Sequence, residues 1–472
     1  MSAALRLKIE RMTAEGPGIG RPEGGGPVHF VPYTAPGDSI EAFVRQSKSG
    51  FVRASMTRLL SAGPGRVEPR CPLHYSPAMA LRGDAPCGGC DWQHLNDEVQ
   101  LESKRELVRD CLFRIAKLRE PKVEPPLRSP SAWRYRNKVQ VPFGTSGGRV
   151  VAGFYAPGSH QIVDFDDCLV QPEISVAIVK TVKRLAGELR WRPYDYDRNS
   201  GWLRHLFVRT NARGQALVAL VTKTKDLPGE KRFLEALLKE HPAVIGVHQN
   251  VQPIKTTVVL GPRWKKIWGR RMIEERVGSI RLRVSPAAFL QVNTPACEVL
   301  YGVVRDFITR DGFRPKLLLD LYSGVGSIGL SLADLARTVV GVEEVRDAAQ
   351  DAHDNARLNA ITNAEFYAGG VEALLSKLER RLSSEPERSA AAVLDPPRAG
   401  CTKPVLKILR SPAFERVVYV SCNPATFARD ADWLSRHGWT LERVQPVDLF
   451  PQTSHIETVG LFRRRRNRPT TT

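Results

Sequence analysis

Cysteine is scarce in this sequence, with eight residues in a chain of 472. This density is too low for a disulfide-stabilised scaffold, so closely spaced cysteines are expected to bind metal or to do chemistry. Long apolar runs are also missing, because no stretch of 18 uncharged apolar residues occurs, and we therefore expect no membrane partner. The N-terminus has no apolar core followed by a small-residue cleavage site. We expect a cytoplasmic, monomeric protein.

Acidic residues are the minority among the charged ones. The chain has 50 Asp and Glu against 70 Lys and Arg, which gives a formal net charge of +20. Such an excess attracts polyanions, and nucleic acid is the first candidate partner. The C-terminal RRRRNRPTTT is expected to be disordered and to add only non-specific attraction.

The chain divides into three regions by pattern. Residues 1–62 hold short strand-like runs around a Gly/Pro-rich loop, which favours an OB-like β-barrel that binds single-stranded nucleic acid. Residues 63–285 suggest a mixed α+β central domain, with mostly antiparallel strands and a helix within 91–118. Residues 286–472 alternate strand and helix patterns, which predicts a parallel, doubly wound Rossmann-like sheet. The predicted fold class is α/β.

A glycine-rich turn in LLLDLYSGVGSIGLSLA indicates a nucleotide site. Its Gly-x-Gly-x-x-Gly, beginning at Gly324, also fits a dinucleotide fingerprint, so NAD stays open. Asp320, at the preceding strand end, is a poor neighbour for a pyrophosphate and a good one for the cationic S-adenosylmethionine (SAM), which we favour. Glu343 would bind the ribose hydroxyls. Asp395, in AAVLDPPRAG, ends another strand and should face the same crevice.

A cysteine at a strand end raises the question of covalent catalysis. Cys422, in VVYVSCNP, follows a predicted strand of this sheet, although a buried cysteine can also simply fill space. A thiolate that adds to carbon 6 of uracil makes carbon 5 nucleophilic toward a methyl donor, and a base must then remove the proton on carbon 5. Glu457, in SHIETVGLF, is the favoured base. His455 is expected to support it and is not excluded as the base itself.

Two further patterns point to metal and to RNA. The pair Cys87-Gly-Gly-Cys90, with Cys71 upstream and Cys168 downstream, suits an iron–sulfur cluster or a zinc ion. The additional candidate zinc ligands are His74 and His94. In WRYRNKVQVPF and GWLRHLFVRT, aromatic and basic residues alternate as on strands that stack bases and bind phosphates, although core packing explains each aromatic residue equally well. The residues concerned are Trp133, Arg134, Tyr135, Arg136, Lys138, Arg204 and Arg209. The target base must leave its stack to reach a buried thiol.

The motifs SCNP, DPPR, DLYSGVGSIG, FLQVN and SHIETV resemble those of the RNA uracil-5-methyltransferase family, and the resemblance covers nearly the whole chain. It implies an RNA-binding TRAM barrel at the N-terminus and a class I SAM-dependent catalytic domain at the C-terminus. It also implies that Cys422 is the nucleophile and Glu457 the proton acceptor. The positions matching SAM contacts are Gln291, Tyr322, Ser327, Glu343 and Asp395.

The same resemblance implies a structural [4Fe–4S] cluster, as in the ribosomal-RNA branch of the family. The ligands would be Cys71, Cys87, Cys90 and Cys168, although the 16-residue interval between the first two is longer than usual in the family. It therefore favours rRNA, and 23S rRNA in particular, over tRNA as substrate. Hypotheses of other classes are an NAD-dependent iron–sulfur oxidoreductase, which leaves Cys422 without a role, and a non-catalytic RNA-binding protein.

Overall fold

The computed structural model describes residues 5–22 and 24–466. Residues 1–4, 23 and 467–472, which include the end of the basic tail, lie outside the description. Within the described ranges, no helix combines the length and the apolar character needed to cross a membrane.

The N-terminal unit is a closed five-stranded barrel, as the sequence predicted. Its strands are β1 (Leu5–Met12), β2 (Gly18–Pro22), β3 (Val28–Val31), β4 (Ser39–Lys48) and β5 (Phe51–Ser61). They close in the order β1-β2-β3-β5-β4. Alternate residues point inward, among them Leu7, Ile9 and Val31, and form the apolar centre of the barrel. Arg66 donates to the buried Asp38 at 2.7 Å and ties the barrel to the next segment.

The central part is a mixed α+β region. Two helices come first, α1 (Pro77–Leu81) and α2 (Asp97–Arg114). A seven-stranded sheet follows, built from β6 (Lys138–Ser146), β7 (Arg149–Tyr155), β8 (Ile162–Asp164), β9 (Leu203–Thr210), β10 (Ala216–Thr222), β11 (Val244–Val251) and β12 (Arg263–Gly269). Its order is β12-β11-β10-β9-β6-β7-β8, and only β10 and β11 run parallel. The helices that share its apolar core are α3 (Glu173–Glu188) and α4 (Glu230–Glu240).

The C-terminal part is the predicted doubly wound domain. A hairpin and a helix precede it: β13 (Ile273–Val277), β14 (Ile280–Val284) and α5 (Thr294–Thr309). The sheet contains β15 (Leu317–Leu321), β16 (Thr338–Glu343), β17 (Ala364–Ala368), β18 (Ala390–Leu394), β19 (Phe414–Ser421), β20 (Trp439–Val447) and β21 (Glu457–Arg464). The connecting helices are α6 (Ser327–Ser331), α7 (Arg346–Leu358), α8 (Val371–Ser383), α9 (Lys403–Ile408) and α10 (Pro424–Arg436), with 3-10 turns at Arg310–Gly312 and Ala333–Leu335.

The strand order of this sheet indicates where a ligand would bind. It is β17-β16-β15-β18-β19-β21-β20, with β15 to β19 parallel and β21 antiparallel to both neighbours. The order reverses between β15 and β18, and ligands of such sheets bind at the carboxyl ends of the strands beside that reversal. β20 was not predicted, since its middle residues are polar or only partly buried.

Helix α2 does not pack within the central part alone. Its residues Val108 and Leu112, together with Val123, belong to the apolar cluster formed by the doubly wound sheet and helices α8 to α10. The domain limits at residues 62 and 285 remain predictions, but the part of the chain before residue 130 contributes directly to the core of the doubly wound domain.

The structure corrects the predicted RNA-contact strand at WRYR. Arg134 has a φ of 54°, so its backbone is left-handed, and β6 begins only at Lys138. Tyr135 is buried, and its hydroxyl donates to the carbonyl of Pro451 at 3.0 Å. Trp133 is partly buried, and the guanidinium of Arg70 lies 5.3 Å from its ring. These residues therefore do not form a two-faced strand.

The predicted phosphate contacts Arg204 and Arg209 are also wrong, because both side chains are 2% exposed. Arg204 donates to the carbonyls of Gln252 and Ile254, at 3.1 and 2.7 Å, and to a third carbonyl, that of residue 256. Arg209 donates to the carbonyl of Ala288 at 2.7 Å. A guanidinium offers five donors, which makes it suited to binding several carbonyls at once.

The structural role of Arg204 predicts a loss of stability rather than of RNA affinity. Replacing Arg204 by Ala leaves buried carbonyls unpaired, so the free energy of unfolding should fall by about 3 kcal/mol. The control is Arg198→Ala, whose side chain is 84% exposed and which should change stability by under about 0.5 kcal/mol. Urea unfolding and RNA titration at a temperature where the variant is folded measure both quantities. Unchanged stability with weaker RNA binding would contradict this assignment.

Candidate active site

The antiparallel pairing of β19 and β21 brings the predicted nucleophile and base together. Ser421, the last residue of β19, lies opposite Thr458. Continued by one residue, this register sets Cys422, just after β19, opposite Glu457, the first residue of β21, and the carboxyl of Glu457 acts on the pKa of the Cys422 thiol. Side chains of directly opposed residues project on the same face of the sheet, with Cα atoms about 4.5 to 5.5 Å apart. The sequence could place each at a strand end, and the register makes them neighbours.

The residues after Cys422 explain why the strand stops there. The side-chain oxygen of Asn423 accepts from the backbone N–H of Ala425 at 3.0 Å and caps α10, while Pro424 occupies the first turn. The amide group of Asn423 also donates to the carbonyl of Arg398 at 3.1 Å. The Ser-Cys-Asn-Pro sequence therefore fixes Cys422 between a strand end and a helix start.

Three carboxyl groups line the crevice, those of the buried Asp320 and Glu457 and of the partly buried Asp395. Asp320 accepts from the N–H of Gly329 at 2.8 Å through one oxygen, and its other oxygen has no hydrogen-bond partner in the described part of the chain. Burial raises the pKa of Asp320 to about 7. Burial, and then the neighbouring Asp320, raise the pKa of Asp395 to about 7. Burial and Asp395 raise the pKa of Glu457, which is 2% exposed, well above its usual range. Such a group of acids favours a cationic ligand.

The environment of Cys422 does not by itself favour the thiolate. Burial, followed by the carboxyl of Glu457, raises the pKa of the Cys422 thiol to about 11. Arg398 of the DPPR motif acts in the opposite direction and lowers it. One nitrogen of Arg398 lies 3.3 Å from Nε2 of His455. Burial and Arg398 lower the pKa of His455 to about 4, so this histidine is neutral at pH 7.

Arg398 was missed by the sequence analysis as a site residue. Its signal was available, since the DPPR motif follows a strand that ends in the crevice. Only the folded chain shows that this arginine lies next to both Cys422 and His455.

The glycine-rich turn carries two of the predicted SAM residues. Tyr322 has a φ of 71°, which turns the chain sharply after β15, and its hydroxyl is buried without a partner among residues 5–22 and 24–466. Ser327 begins α6 and accepts from the hydroxyl of Tyr301 at 2.7 Å. A Cβ atom at Gly329 would lie 2.7 Å from the carboxylate of Asp320. The close contact between turn and strand therefore requires glycine there.

The other predicted SAM residues reach the same crevice from three strands or loops. Glu343 ends β16 and accepts from the N–H groups of Gly324 and Val345, both at 2.8 Å. Gln291 is buried, and its side chain lowers the pKa of Asp395, which places it beside that carboxyl group. All five predicted contacts thus surround the strand ends, and their role in binding SAM stays a prediction.

A second pocket gathers the four predicted metal ligands. Its walls include Cys71, Cys87, Cys90 and Cys168, together with His74 and Arg136. All four thiols are free. Burial raises the pKa of Cys87 to about 11 and that of Cys90 to about 12, with the neighbouring cysteines adding to the rise.

In the described part of the chain, the side chains of this pocket do not have the geometry of a metal site. Across the described residues, no group of three or more His, Cys, Asp or Glu side chains has an arrangement that could hold a metal ion. His94 does not line the pocket; its Nε2 lies 3.0 Å from the carbonyl of Thr34. A role for His94 as a zinc ligand stays a prediction, since its other ring nitrogen, Nδ1, is buried and has no hydrogen-bond partner within residues 5–22 and 24–466.

Comparison with known proteins gives a consistent set of relatives. Residues 270–466 match the family model described as tRNA (Uracil-5-)-methyltransferase. An uncharacterized RNA methyltransferase of Halalkalibacterium halodurans is 38% identical over 459 residues, which cover 97% of this chain and 96% of the relative. One of Listeria monocytogenes is 36% identical and covers 97% of both chains.

A solved structure is similar over the same length. It is the Pyrococcus abyssi tRNA (uracil-54, C5)-methyltransferase in complex with S-adenosyl-L-homocysteine. The two chains are 27% identical with a TM-score of 0.74, and the match covers 97% of this chain and 99% of the other. The likeness therefore extends through the barrel, the central part and the catalytic sheet.

The electrostatics of the site predict slow and pH-dependent alkylation of Cys422. Because only the thiolate reacts and the thiol pKa is about 11, the rate with iodoacetamide should rise about tenfold per pH unit between roughly pH 7 and 10. Arg398→Gln should slow the reaction at each pH, since it removes the cation that favours the thiolate. Mass spectrometry of the peptide containing Cys422 measures the rate, with the exposed Arg436→Gln as control. A rate independent of pH above about 8 would show that the thiolate is already formed.

Proposed function

This chain belongs to the RNA uracil-5-methyltransferase family, and from that premise we propose that it transfers a methyl group from SAM to carbon 5 of a uridine through a covalent bond between Cys422 and carbon 6. The observation that carries the proposal is the opposed pair of Cys422 and Glu457 beside buried acids. An NAD-dependent oxidoreductase would give this pair no task. A non-catalytic RNA-binding protein would not need it.

The buried acids support SAM as the methyl donor, which supplies an electrophilic methyl group on a positively charged sulfur. Asp320 and Glu457 each have an oxygen without a hydrogen-bond partner in the described residues, and a cation would reduce the repulsion among the carboxylates. The oxygens of Glu343 each retain a lone pair for a ribose hydroxyl after accepting from the backbone. The proposed SAM contacts are Gln291, Tyr322, Ser327, Glu343 and Asp395.

In the first step, the Cys422 thiol releases its proton to solvent water and the thiolate adds to carbon 6 of the uracil. Arg398 stabilises the thiolate, which the burial of Cys422 otherwise disfavours. The electron pair of the former carbon 5–carbon 6 double bond moves toward the carbonyl at carbon 4. This enolate-like adduct attacks the methyl group through carbon 5; a carbon–carbon bond forms, the bond between methyl and sulfur breaks, and S-adenosylhomocysteine is released.

In the second step, the Glu457 carboxylate removes the proton on carbon 5. Those electrons restore the double bond, the bond between sulfur and carbon 6 breaks, and Cys422 leaves as a thiolate. A carboxylate whose pKa is raised by burial is a stronger base than one in water, which suits it to a carbon acid. His455 is neutral and contacts Arg398, the cation that stabilises the Cys422 thiolate. Its proposed role is therefore to support Arg398.

The proposed substrate is a uridine in ribosomal RNA, which the four-cysteine set favours through the resemblance to the rRNA branch. A tRNA uridine is the second candidate, because the matched family model and the Pyrococcus abyssi enzyme are both named for tRNA. The net charge of +20 suits either RNA. The N-terminal barrel is the proposed RNA-binding module.

The cysteine pocket is proposed to hold a [4Fe–4S] cluster with Cys71, Cys87, Cys90 and Cys168 as ligands. The support is that four thiols from distant parts of the chain line one pocket, and Arg136 in the same wall can offset thiolate charge. Such a cluster would join the segments around residues 71, 90 and 168, and no step of the methyl transfer requires an electron. Zinc is the alternative, with His74 in the pocket wall.

The function predicts methylation that depends on Cys422 and on the RNA class. In the assay, the wild-type enzyme and SAM are incubated separately with rRNA and with tRNA, both taken from cells that lack this gene. We expect 5-methyluridine to form in the rRNA. Cys422→Ala should give none while binding SAM within about twofold of wild type, because its thiol bonds the base and not the donor. Cys111→Ala, which changes a partly buried cysteine of α2 outside the crevice, is the matched control. Nucleoside mass spectrometry would contradict the rRNA proposal if only tRNA gains the methyl group, and the whole function if neither does.

The cluster predicts iron and sulfide in the purified protein. Anaerobic reconstitution should give about four iron atoms and as many sulfides per chain. Cys90→Ser should lose most of both, since it removes a ligand, whereas Cys111→Ser should keep them. Elemental analysis and acid-labile sulfide assays measure the outcome. If the protein instead contains about one zinc atom per chain, zinc replaces the cluster in this proposal. If the protein contains no bound metal, the proposal is overturned.

A further inference from the structure

The loop that leads to Glu457 contains a strained residue. We define the base loop as residues 448–456, which join β20 to β21 and carry His455. Gln452 in its middle has a φ of 70° and is 3% exposed. A left-handed backbone at a buried residue other than glycine persists only where surrounding contacts hold it.

Those contacts come from residues 92–100, in the N-terminal quarter of the chain. The carbonyl of Gln452 accepts from the N–H of Trp92 at 3.0 Å. Its N–H donates to the side-chain oxygen of Gln100 at 2.9 Å, and the two glutamine side chains hydrogen-bond to each other at 3.2 Å. Both backbone groups of the strained residue are thus bound by residues about 350 positions away in sequence.

Asp91 binds the loop one step nearer to the base. Its carboxylate accepts from the N–H of Ser454 at 3.0 Å. Ser454 precedes His455 and lies three residues before Glu457. Asp91 also lies against the barrel, since a Cβ atom at Gly16 would be 2.3 Å from its carboxylate, and the indole N–H of Trp92 donates to the carbonyl of Gly16 at 2.9 Å.

The other contacts from the N-terminal segment hold only the first part of the base loop, while Arg398 lies 3.3 Å from His455 on the side of the base. Lys104, which is fully buried, donates to Asp448 at 2.7 Å and to the carbonyl of Phe450 at 3.2 Å. The hydroxyl of Tyr135 donates to the carbonyl of Pro451 at 3.0 Å. Asp91 is therefore the contact from the N-terminal segment that holds the loop after Gln452, on the side of the base.

From these contacts we infer that Asp91 is a positioning residue for Glu457. Its carboxylate holds Ser454 so that the carboxylate of Glu457 reaches the proton on carbon 5 of the methylated adduct. This inference rests on the proposed function. Without Asp91, carbon–sulfur bond formation and methyl transfer should proceed, because Cys422 is fixed by β19 and α10, whereas proton removal should slow. Methylated RNA bonded to Cys422 should then accumulate.

The test compares Asp91→Ala with three references under single-turnover conditions on ordinary, unfluorinated RNA. Asp91→Asn keeps a side-chain oxygen that accepts from the Ser454 N–H. Glu457→Gln lacks the base. Asp84→Ala changes an exposed acid of the same segment whose contact is with Arg82. Denaturing gels and mass spectrometry count the RNA bonded to Cys422, and iron content, melting temperature and SAM affinity are measured for every variant.

The expected result for Asp91→Ala is a fall in kcat of about 10- to 100-fold, as for a misplaced catalytic group, with KM for RNA within about twofold of wild type. The methylated adduct should accumulate as it does in Glu457→Gln. Asp91→Asn should recover most of the activity, and Asp84→Ala should match wild type. Asp91→Ser is a second truncation if the alanine variant does not fold.

Other outcomes separate the inference from the function beneath it. Suppose that the wild-type enzyme turns over. The positioning role alone is then overturned if Asp91→Ala is equally active. It is also overturned if Asp91→Ala is slow but forms no adduct, or if it loses iron. If wild type methylates no uridine, or if Glu457→Gln traps no adduct at Cys422, the proposed function fails and the inference falls with it.

Discussion

The register between β19 and β21 is the constraint on which the rest of the site depends. A shift of one residue would turn Glu457 to the other face of the sheet and leave Cys422 without an opposed carboxyl group. Close packing holds that register. Gly460 lies opposite Tyr419, and a Cβ atom at Gly460 would be 2.5 Å from the ring of Phe427. Helix α10, which Asn423 caps, therefore fits against β21 only in the alignment observed.

The crevice beside this pair is acidic. Burial makes each carboxyl group costly to ionise, and the neighbouring acids add to the cost. A positively charged donor bound there would relieve that cost, so the crevice and a cationic ligand are electrostatic complements. Arg398 is the cation that the chain itself provides, and it lies on the side of the thiol.

The parts of the structure that depend on local pattern were predictable from the sequence. Parallel strands end at one edge, so Asp320, Asp395 and Cys422 could be assigned to one crevice from their positions after apolar runs. The four cysteines could be grouped as candidate metal ligands from the sequence, and the family resemblance then favoured a [4Fe–4S] cluster over zinc, but the intervals between them contain no geometric information. Cys168 reaches Cys71 only through the fold of the central sheet.

What the sequence could not predict depends on contacts between distant segments. Arg204 looks like a phosphate ligand in an alternating strand, yet three carbonyls beyond residue 250 bind it. The left-handed Gln452 and its partners Trp92 and Gln100 are joined across most of the chain.

The packing of α2 on the catalytic sheet has a consequence for how the chain is made. Val108 and Leu112 emerge from the ribosome early, but the elements of the doubly wound domain that α2 contacts, α10 and β20, are synthesised more than 300 residues later. At about 5 to 20 residues per second this interval is roughly 15 to 60 s. The apolar cluster that includes this part of α2 can therefore be completed only when the last strands of the chain have been made.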